Sequence, residues 1–390
     1  MTTIMAGASK KEKNPTTTNF KYSVDKFADV EILRYRVPDF ESLSLKQKEL
    51  IYYLNEAALQ GRDILFDQNN KYNLTIRRTL ETIYLNYKGD RNSAEFSKLT
   101  TFMKRVWMGN GIHHHYSEDK FSPEFSVGYF AEVIQSIPAE KFSAVLGAGE
   151  SKDDLLQKLI PVLFDPTIYP KRTNQADGVD LILTSGNNYY GDGITQAEVE
   201  NFYTKMKKAD DPTPISYGLN SKLVKENGKL VEKTYKVGGM YSAAIERIVY
   251  WLAKAATVAE NDKQKDVINT LIEYYKTGDL RTYDLYSIKW VEDLASQVDF
   301  VNGFTETYGD PLGMKASWES LVNFKNIEAT KRTEIISKNA QWFEDHSPID
   351  KQFKKETVKG VSAKVITAAI LAGDCYPATP IGINLPNANW

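Results

Sequence analysis

Apolar residues recur at helical spacing through most of the first third of the chain. The clearest stripe has five members: Leu50, Ile51, Leu54, Ala57 and Ala58. Ser44 and Gln47 form a capping box before this stripe, and Gly61 follows it, so a helix is expected between them. The same spacing predicts helices over about 72–87 and 93–107, a loop over 110–125, and short helices over 126–165.

The pattern becomes mixed after residue 178. Residues 179–184 (VDLILT) form a continuous apolar run that predicts a strand, and a glycine-rich turn follows. Thr195 and Glu198 form a second capping box that opens a helix ending near Met206. Between two β-branched segments over 222–237, the dipeptide Asn227-Gly228 predicts a hairpin with a type I′ turn.

Helices and one clear strand are predicted for the rest of the chain. Ser242 is expected to cap an amphipathic helix, and a further helix is expected over 262–276. Apolar residues alternate with polar ones from Val298 to Tyr308, which is the period of a strand. A helix over 327–345 and a strand-length apolar run over 365–371 follow. The chain is therefore expected to be an α+β protein that is richer in helix than in strand.

Composition and charge narrow the possible partners. The 390 residues include 49 Lys and Arg against 51 Asp and Glu, so the net charge of −2 argues against nucleic acid or an anionic membrane as partner. No apolar stretch is long enough to span a bilayer. The single cysteine, Cys375, cannot form an internal disulfide and is expected to be a buried small residue. A cytoplasmic monomer is expected; an exported protein whose leader has been removed would have the same composition.

Sequence motifs of catalysis are lacking. His113, His114 and His115 are adjacent, and adjacent side chains point in different directions on a helix or a strand, so they are interpreted as a loop and not as a metal site. No G-x-S-x-G and no H-E-x-x-H occurs. Zinc uptake that is lost when the three histidines are replaced would support the alternative of a metalloprotein.

Glu306 and Tyr308 end the predicted strand on one face. Residues two apart on a strand lie about 6.5–7 Å apart, so the two side chains are expected to be neighbours. The carboxylate could bind an ammonium group and the phenol could donate to a carbonyl oxygen. A strand end that simply reaches solvent explains the same pattern, and spacing alone does not decide between the two.

The segment 380–387 (PIGINLPN) is a second candidate ligand surface. Pro386 cannot donate a ladder hydrogen bond, which places the segment at a sheet edge or in a lining loop. An edge offers backbone groups to an extended peptide, and asparagine amides both donate and accept. A plain Pro/Asn-rich connector remains the alternative.

These segments resemble the dipeptidyl peptidase III family of zinc metallopeptidases. The resemblance is carried by Trp290, by E-T-Y-G-D-P at 306–311 and by G-I-N-L-P-N at 382–387. It is extended by N-Y-Y-G-D-G-I-T at 188–195, G-G-M-Y-S-A-A-I-E-R at 238–247 and V-W-M-G-N-G at 106–111. The loop with three histidines is similar to the bacterial branch of the family.

The resemblance implies roles in a peptide cleft. Glu306, Asn384 and Asn387 match residues that hold the free N-terminus and the first backbone units of a peptide. Tyr308 matches the tyrosine that hydrogen-bonds the scissile carbonyl. Pro380 and Ile383 match residues that contact the peptide through their main chain, and Trp290 matches a residue that lines the cleft.

The resemblance also implies a zinc ion, whose H-E-x-x-x-H helix and following glutamate do not occur in these 390 residues. The chain is therefore expected to be the substrate-clamping portion of an enzyme that removes dipeptides from the N-terminus of short peptides, inactive alone and without metal ligands of its own. The alternative is a non-catalytic peptide-binding module.

The family fold implies two lobes around a cleft. Residues 21–326 and 368–390 are expected in a mixed lobe with a β-barrel core, the last of them as a cleft edge strand. Residues 327–367 are expected to enter the helical, zinc-bearing lobe, and residues 1–20 to form a mobile tail.

Overall fold

The computed structural model describes residues 20–360, 363–377 and 380–388. The expected N-terminal tail, apart from residue 20, lies outside them. The described helices are α1 Leu45–Gln60, α2 Arg62–Asn69, α3 Asn73–Asn86, α4 Ala94–Met108, α5 Val127–Ser136, α6 Lys152–Phe164, α7 Gln196–Thr204, α8 Ser242–Thr257, α9 Asp262–Thr277, α10 Leu280–Glu292, α11 Ile327–Lys338 and α12 Ala340–His346. The described strands are β1 Ser23–Phe27, β2 Val30–Leu33, β3 Ser221–Glu226, β4 Lys229–Thr234, β5 Val298–Glu306, β6 Ser317–Lys325 and β7 Ile366–Gly373.

The chain divides into a small unit and a large one. The small unit, described over residues 20–36, is the antiparallel hairpin β1–β2, in which Arg34 and Arg36 lie over the ring of Phe20. The large unit runs from Val37 onward and contains every residue discussed below.

Helix α1 forms as the sequence predicts. Ser44 accepts a hydrogen bond from the backbone N–H of Gln47, whose side chain bonds back to the backbone of Ser44. The five residues of the predicted stripe are all buried. Four of them, Leu50, Ile51, Leu54 and Ala57, pack with α8, α9 and the inner face of the β5–β6 sheet into the largest apolar cluster. A second cluster lies among α3, α4, α5 and α6.

Gly61 lies between α1 and α2, at a position where no larger residue fits. A Cβ atom at this position would lie 2.2 Å from the indole of Trp318, which is fully buried. The Gln68 side chain of α2 accepts from the backbone N–H of Trp318 on β6 and donates to the carbonyl of Ala316, the residue before β6, both at 2.9 Å. The first helices are therefore anchored to the central strand.

The described strands form three separate antiparallel sheets. β1 pairs with β2, β3 pairs with β4 through the predicted Asn227-Gly228 turn, and β6 lies between β5 and β7. Asn227 and Gly228 both have positive φ, as a type I′ turn requires. Within the described residues these sheets are open and none closes into the β-barrel core that the resemblance implies. The mixed helix and sheet content agrees with the expected α+β class.

The predicted strand over residues 179–184 is wrong: the segment is a turn. The carboxylate of Asp180 accepts hydrogen bonds from the backbone N–H groups of Ile182 and Leu183, both at 3.0 Å, and from that of Gln196 at 2.9 Å. Such local side-chain bonds compete with strand pairing, and here they win over the β propensity of the run.

Three further boundaries differ from the sequence prediction. Ser242 is the first residue of α8 and its N-cap is Tyr241, in a left-handed conformation. The helix expected over 327–345 is interrupted at Asn339, which separates α11 from α12. β5 ends at Glu306, so Tyr308 lies in the following turn and not on the strand. Helices α2 and α10 were not predicted at all.

Helices α11 and α12 have no buried residues, and the excursion that contains them lies between β6 and β7. The apolar run at 365–371 falls on β7, an edge strand of the β5–β6–β7 sheet. Residues 380–388 are irregular and form no edge strand. Among the described residues, no helix is long and apolar enough to cross a membrane.

Candidate functional site

A β-bulge at the end of β5 determines where Glu306 points. Val298, Phe300 and Phe304 alternate into the main core, but the register with β6 shifts between Phe304 and Glu306. The bulge inserts Thr305 as an extra residue. The side chain of Glu306 therefore does not point into the core with those of Val298, Phe300 and Phe304, and it is partly exposed.

Asn387 lies directly against Glu306. Its side-chain amide donates to Oε2 of Glu306 and to the backbone carbonyl of Thr305, both at 3.2 Å. An ionised carboxylate accepts about four hydrogen bonds, so this contact leaves most of the capacity of Glu306 available. The two residues are 81 positions apart, and the structure brings them together at one rim.

This rim belongs to a cavity of about 1010 Å³. One wall is formed by α10, with aromatic and aliphatic side chains: Tyr283, Tyr286, Ile288, Trp290 and Val291. The other walls come from residues 207–217, the end of β5 and residues 385–388. A concave site with apolar walls and a few polar groups at its rim has the character of a ligand site.

Part of the predicted site lies in the lining of this cavity. Glu306, Asn387 and Trp290 line it. Tyr308, Pro380, Ile383 and Asn384 are absent from its described lining, and Ile383 and Asn384 are exposed.

The loop after β5 is built around the buried carboxylate of Asp310. Its oxygens accept from the backbone N–H groups of Leu312 at 3.1 Å, Met314 at 2.9 Å and Lys315 at 2.8 Å. The phenol of Tyr190 donates to the same carboxylate at 2.8 Å. Burial, with the charge of Asp310 beside it, raises the pKa of Tyr190, so this phenol stays protonated and remains a donor.

Gly309 holds the same loop against a second family-like segment. Its carbonyl accepts from Thr173 at 2.9 Å and from the Asn187 amide at 3.0 Å. A Cβ atom on Gly309 would lie 2.9 Å from both the Ser317 and Tyr189 hydroxyls. The N-Y-Y-G and E-T-Y-G-D-P segments therefore pack on each other, and the first supports the turn that carries Tyr308.

Tyr308 itself points outward. Its side chain is 68 % exposed. The pKa of the phenol is raised above the usual value, mainly by partial burial of the group and to a smaller extent by the nearby charges of Asp374 and Glu306. A protonated phenol can donate a hydrogen bond at any physiological pH. Tyr308 does not share a strand face with Glu306, because β5 ends at Glu306 and Tyr308 lies in the turn that follows.

A buried carboxyl that the sequence interpretation missed lies close to this rim. Glu319 on β6 is 5 % exposed, and burial raises its pKa to about 7, to which the charges of Asp374 and Glu306 contribute. The thiol of Cys375, buried as predicted, donates to Oε2 of Glu319 at 3.2 Å. The signal available in the sequence was a lone carboxylate inside the otherwise uncharged strand S-W-E-S-L-V-N-F.

The histidines do not form a metal centre. His113 is buried with Nε2 2.9 Å from the carbonyl of Tyr169, and burial lowers its pKa to about 4. Nδ1 of His114 accepts from the backbone N–H groups of Tyr116 and Ser117. No group of three or more His, Cys, Asp or Glu side chains in the described part of the chain could hold a metal ion. The described residues therefore do not fit a zinc site.

Comparison with solved structures gives the class of protein that this fold represents. Dipeptidyl peptidase III from Caldithrix abyssi matches with a TM-score of 0.62 at 19% identity, over 90% of this chain and 53% of that one. The enzyme from Corallococcus sp. strain EGB matches with a TM-score of 0.58 at 17% identity, over 90% and 52%. The fold is therefore that of dipeptidyl peptidase III.

Sequence comparison then gives the family. The profile of peptidase family M49 matches residues 184–389, more than half of the chain, so the chain belongs to peptidase family M49. Dipeptidyl peptidase 3 of Dictyostelium discoideum is 25% identical over 92% of this chain and 52% of its own length. That of Nematostella vectensis is 20% identical over 94% and 54%. The chain spans about half the length of these relatives. The resemblance to the dipeptidyl peptidase III family is confirmed, and this is a family of zinc metallopeptidases.

Proposed function

We propose that this chain provides the peptide-binding portion of a dipeptidyl peptidase that removes dipeptides from the N-terminus of short peptides. The observation that carries the proposal is the Glu306–Asn387 pair at the rim of the large cavity, with Trp290 on its wall. Family membership supports the reaction class.

Glu306 would bind the free ammonium group of the peptide. Its carboxylate is oriented by Asn387 and keeps unused acceptor positions. A charge-assisted hydrogen bond to an ammonium group is about twice as strong as a neutral one. Asn384 and the main chain of Pro380 and Ile383 would then hold the first peptide units, as the resemblance implies.

A carboxylate that captures the ammonium group sets the length of the product. The peptide bond that can be cleaved lies a fixed number of residues from the captured end, because binding converts position along the peptide into position in space. Tyr308 would donate to the carbonyl oxygen of that bond as it becomes an oxyanion. A tyrosine phenol is protonated at physiological pH and can therefore act as this donor.

Zinc supplies activated water and Lewis acidity in metallopeptidases of this kind. The described residues offer no ligand set for it, so no step through the metal is assigned to them. We therefore expect the 390-residue chain alone to bind peptides without cleaving them. Short peptides are its proposed partners, and it is proposed to be monomeric.

Calorimetry with a tetrapeptide and its N-acetylated form tests the ammonium site. Acetylation removes the charge, and we expect affinity to fall about ten- to hundred-fold. Glu306→Gln should weaken the free peptide to a similar extent and leave the acetylated peptide unchanged. Equal affinities for the two peptides would remove Glu306 from this role.

Glu292 provides the matched control. Its exposed carboxylate lines the same cavity without contacting Asn387, so Glu292→Gln changes the local charge equally but leaves the pair intact. We expect this variant to bind both peptides as the wild type does. A dipeptidyl-naphthylamide substrate separates the two candidate activities: turnover by the purified chain with one chelatable zinc would contradict a purely binding role.

A further inference from the structure

The indole of Trp290 is fixed by a hydrogen bond to the neighbouring strand. Trp290 lies in the last turn of α10, partly buried against two apolar clusters, and lines the cavity. Its Nε1–H donates to Oδ1 of Asp299 on β5 at 2.8 Å. Because this bond is directional, it favours one setting of the two side-chain dihedrals that orient the indole ring.

Asp299 is in turn held by Lys364. The ammonium group of Lys364 lies 3.3 Å from Oδ2 of Asp299, and the two side chains are only 20% and 17% exposed. The same ammonium group donates to the carbonyl of Asp293, at the C-terminal end of α10, at 3.4 Å. Lys364 therefore links the C-terminal end of α10 to β5, close to Trp290.

Lys364 is also part of the base of the α11–α12 excursion. The backbone N–H of Asn326, which caps α11, donates to the carbonyl of Val365 at 2.8 Å. Thr330 in the first turn of α11 accepts from the N–H of Val365 at 3.1 Å, and Thr333 donates to the carbonyl of Ala363 at 2.7 Å. The two ends of the excursion are thus joined beside Lys364.

We propose that Asp299 and Lys364 are positioning residues that orient the Trp290 ring as a wall of the peptide cleft, and so connect the base of the α11–α12 excursion to that wall. The peptide part of this inference rests on the proposed function. A side chain that is held in its bound orientation before the ligand arrives loses less conformational freedom on binding. Asp299 and Lys364 need not touch the peptide to affect its affinity.

Fluorine NMR of protein labelled with 5-fluorotryptophan tests the orientation directly. The chain has six tryptophans, and Trp290→Phe assigns the resonance of interest. Asp299→Ala should shift that resonance and weaken tetrapeptide binding about five-fold, the value of one ordinary hydrogen bond. Asp299→Asn keeps an oxygen acceptor and should return the resonance toward the wild-type position. Lys364→Met leaves the acceptor in place and should give a smaller shift.

The chain offers a matched control in a second tryptophan–carboxylate pair. Nε1–H of Trp107 donates to Glu81 at 3.0 Å, and neither residue lines the cavity. Glu81→Ala should shift the Trp107 resonance, leave that of Trp290 in place and leave peptide affinity unchanged. This control separates loss of the positioning bond from a general loss of stability.

Two results would overturn the inference. One is an unshifted Trp290 resonance in Asp299→Ala; the other is a shifted resonance with peptide affinity within about two-fold of wild type. Neither affects the acetylation result at Glu306. A wild-type chain that binds no peptide would contradict the proposed function and with it the peptide part of this inference, and the Trp290 resonance would then decide the positioning part alone.

Discussion

Tyr190 and Asp310 are 120 residues apart in the chain and are joined by a 2.8 Å hydrogen bond from phenol to carboxylate. The bond connects the N-Y-Y-G segment to the turn that follows β5. Asp310 also accepts from three backbone N–H groups of that turn. Through this contact the N-Y-Y-G segment supports the turn after β5, and that turn carries Tyr308.

Replacing Tyr190 tests this support. Tyr190→Phe removes one donor from a buried carboxylate, and we expect the free energy of unfolding to fall by about 1.5–3 kcal/mol, the range for hydrogen bonds to charged groups. Tyr189→Phe is the matched comparison, since Tyr189 bonds the neutral hydroxyl of Ser317 at 2.7 Å and should lose only about 0.5–1.5 kcal/mol. Urea unfolding measures both. Equal losses would show that the charge of Asp310 is irrelevant.

Glu319 should make stability fall as pH rises. Its pKa is 4.5 in the unfolded chain and about 7 in the folded one, so between these values the folded state binds the proton that the unfolded state has released. The contribution, up to about 3 kcal/mol, is fully present below pH 4.5 and is lost as pH rises through about 7.

Glu319→Gln measures that contribution. The amide does not titrate, so the variant should lose stability less steeply than the wild type between pH 5 and 7.5. Urea unfolding at four or five pH values gives the two slopes. Parallel slopes would mean that the carboxyl is not buried as the structure has it.

Lys315, in contrast to Glu319, should make the stability of the fold rise with pH, and it should do so in a higher pH range. The side chain is fully buried, with its ammonium group bonded to Tyr203 at 2.7 Å and to Ser221 at 3.1 Å, and burial lowers its pKa from 10.5 to about 8. Between these values the unfolded chain binds more protons, so stability rises with pH. We expect Lys315→Met to cost more stability at pH 10 than at pH 7, by up to about 3 kcal/mol. A difference that is independent of pH would contradict the lowered pKa.

Two glycine substitutions separate close packing from backbone strain. Gly61→Ala places a Cβ atom within 2.2 Å of the Trp318 ring and should cost about 3 kcal/mol or more. Gly228→Ala, in the turn of the β3–β4 hairpin, meets no atom within 4 Å but has a φ of +76° and should cost about 1 kcal/mol. Thermal unfolding compares the two. A milder effect at Gly61 would show that the helices can move away from β6.

Local signals predicted local structure well in this chain. The Ser44–Gln47 capping box and the Asn227-Gly228 turn depend on residues within four positions of each other, and both form as expected. One of the exceptions, residues 179–184, is also local: Asp180 bonds to the backbone N–H groups that a strand would need. The apolar composition of this segment favoured a strand, but the hydrogen bonds of the Asp180 carboxylate stabilise a turn instead.

The candidate site was predicted less completely. Family resemblance selected Glu306, Asn387 and Trp290, which share one cavity, but strand spacing placed Tyr308 on the same face as Glu306. In the structure β5 ends at Glu306, and Tyr308 lies in the turn that is built around Asp310. Glu319, Asp299 and Lys364 were missed, because a charged residue carries no sequence mark of the partner it meets in the folded chain.

The sequence by itself determined where several helices begin and end, the class of the fold and the family to which the chain belongs. These properties depend on periodicity, capping and motifs, which act over a few residues. Only the tertiary structure decided which carboxylates are buried, that Asn387 meets Glu306, and how the indole of Trp290 is held. Each of these depends on contacts between groups far apart in the chain, whose burial and charge are set by the environment that folding creates.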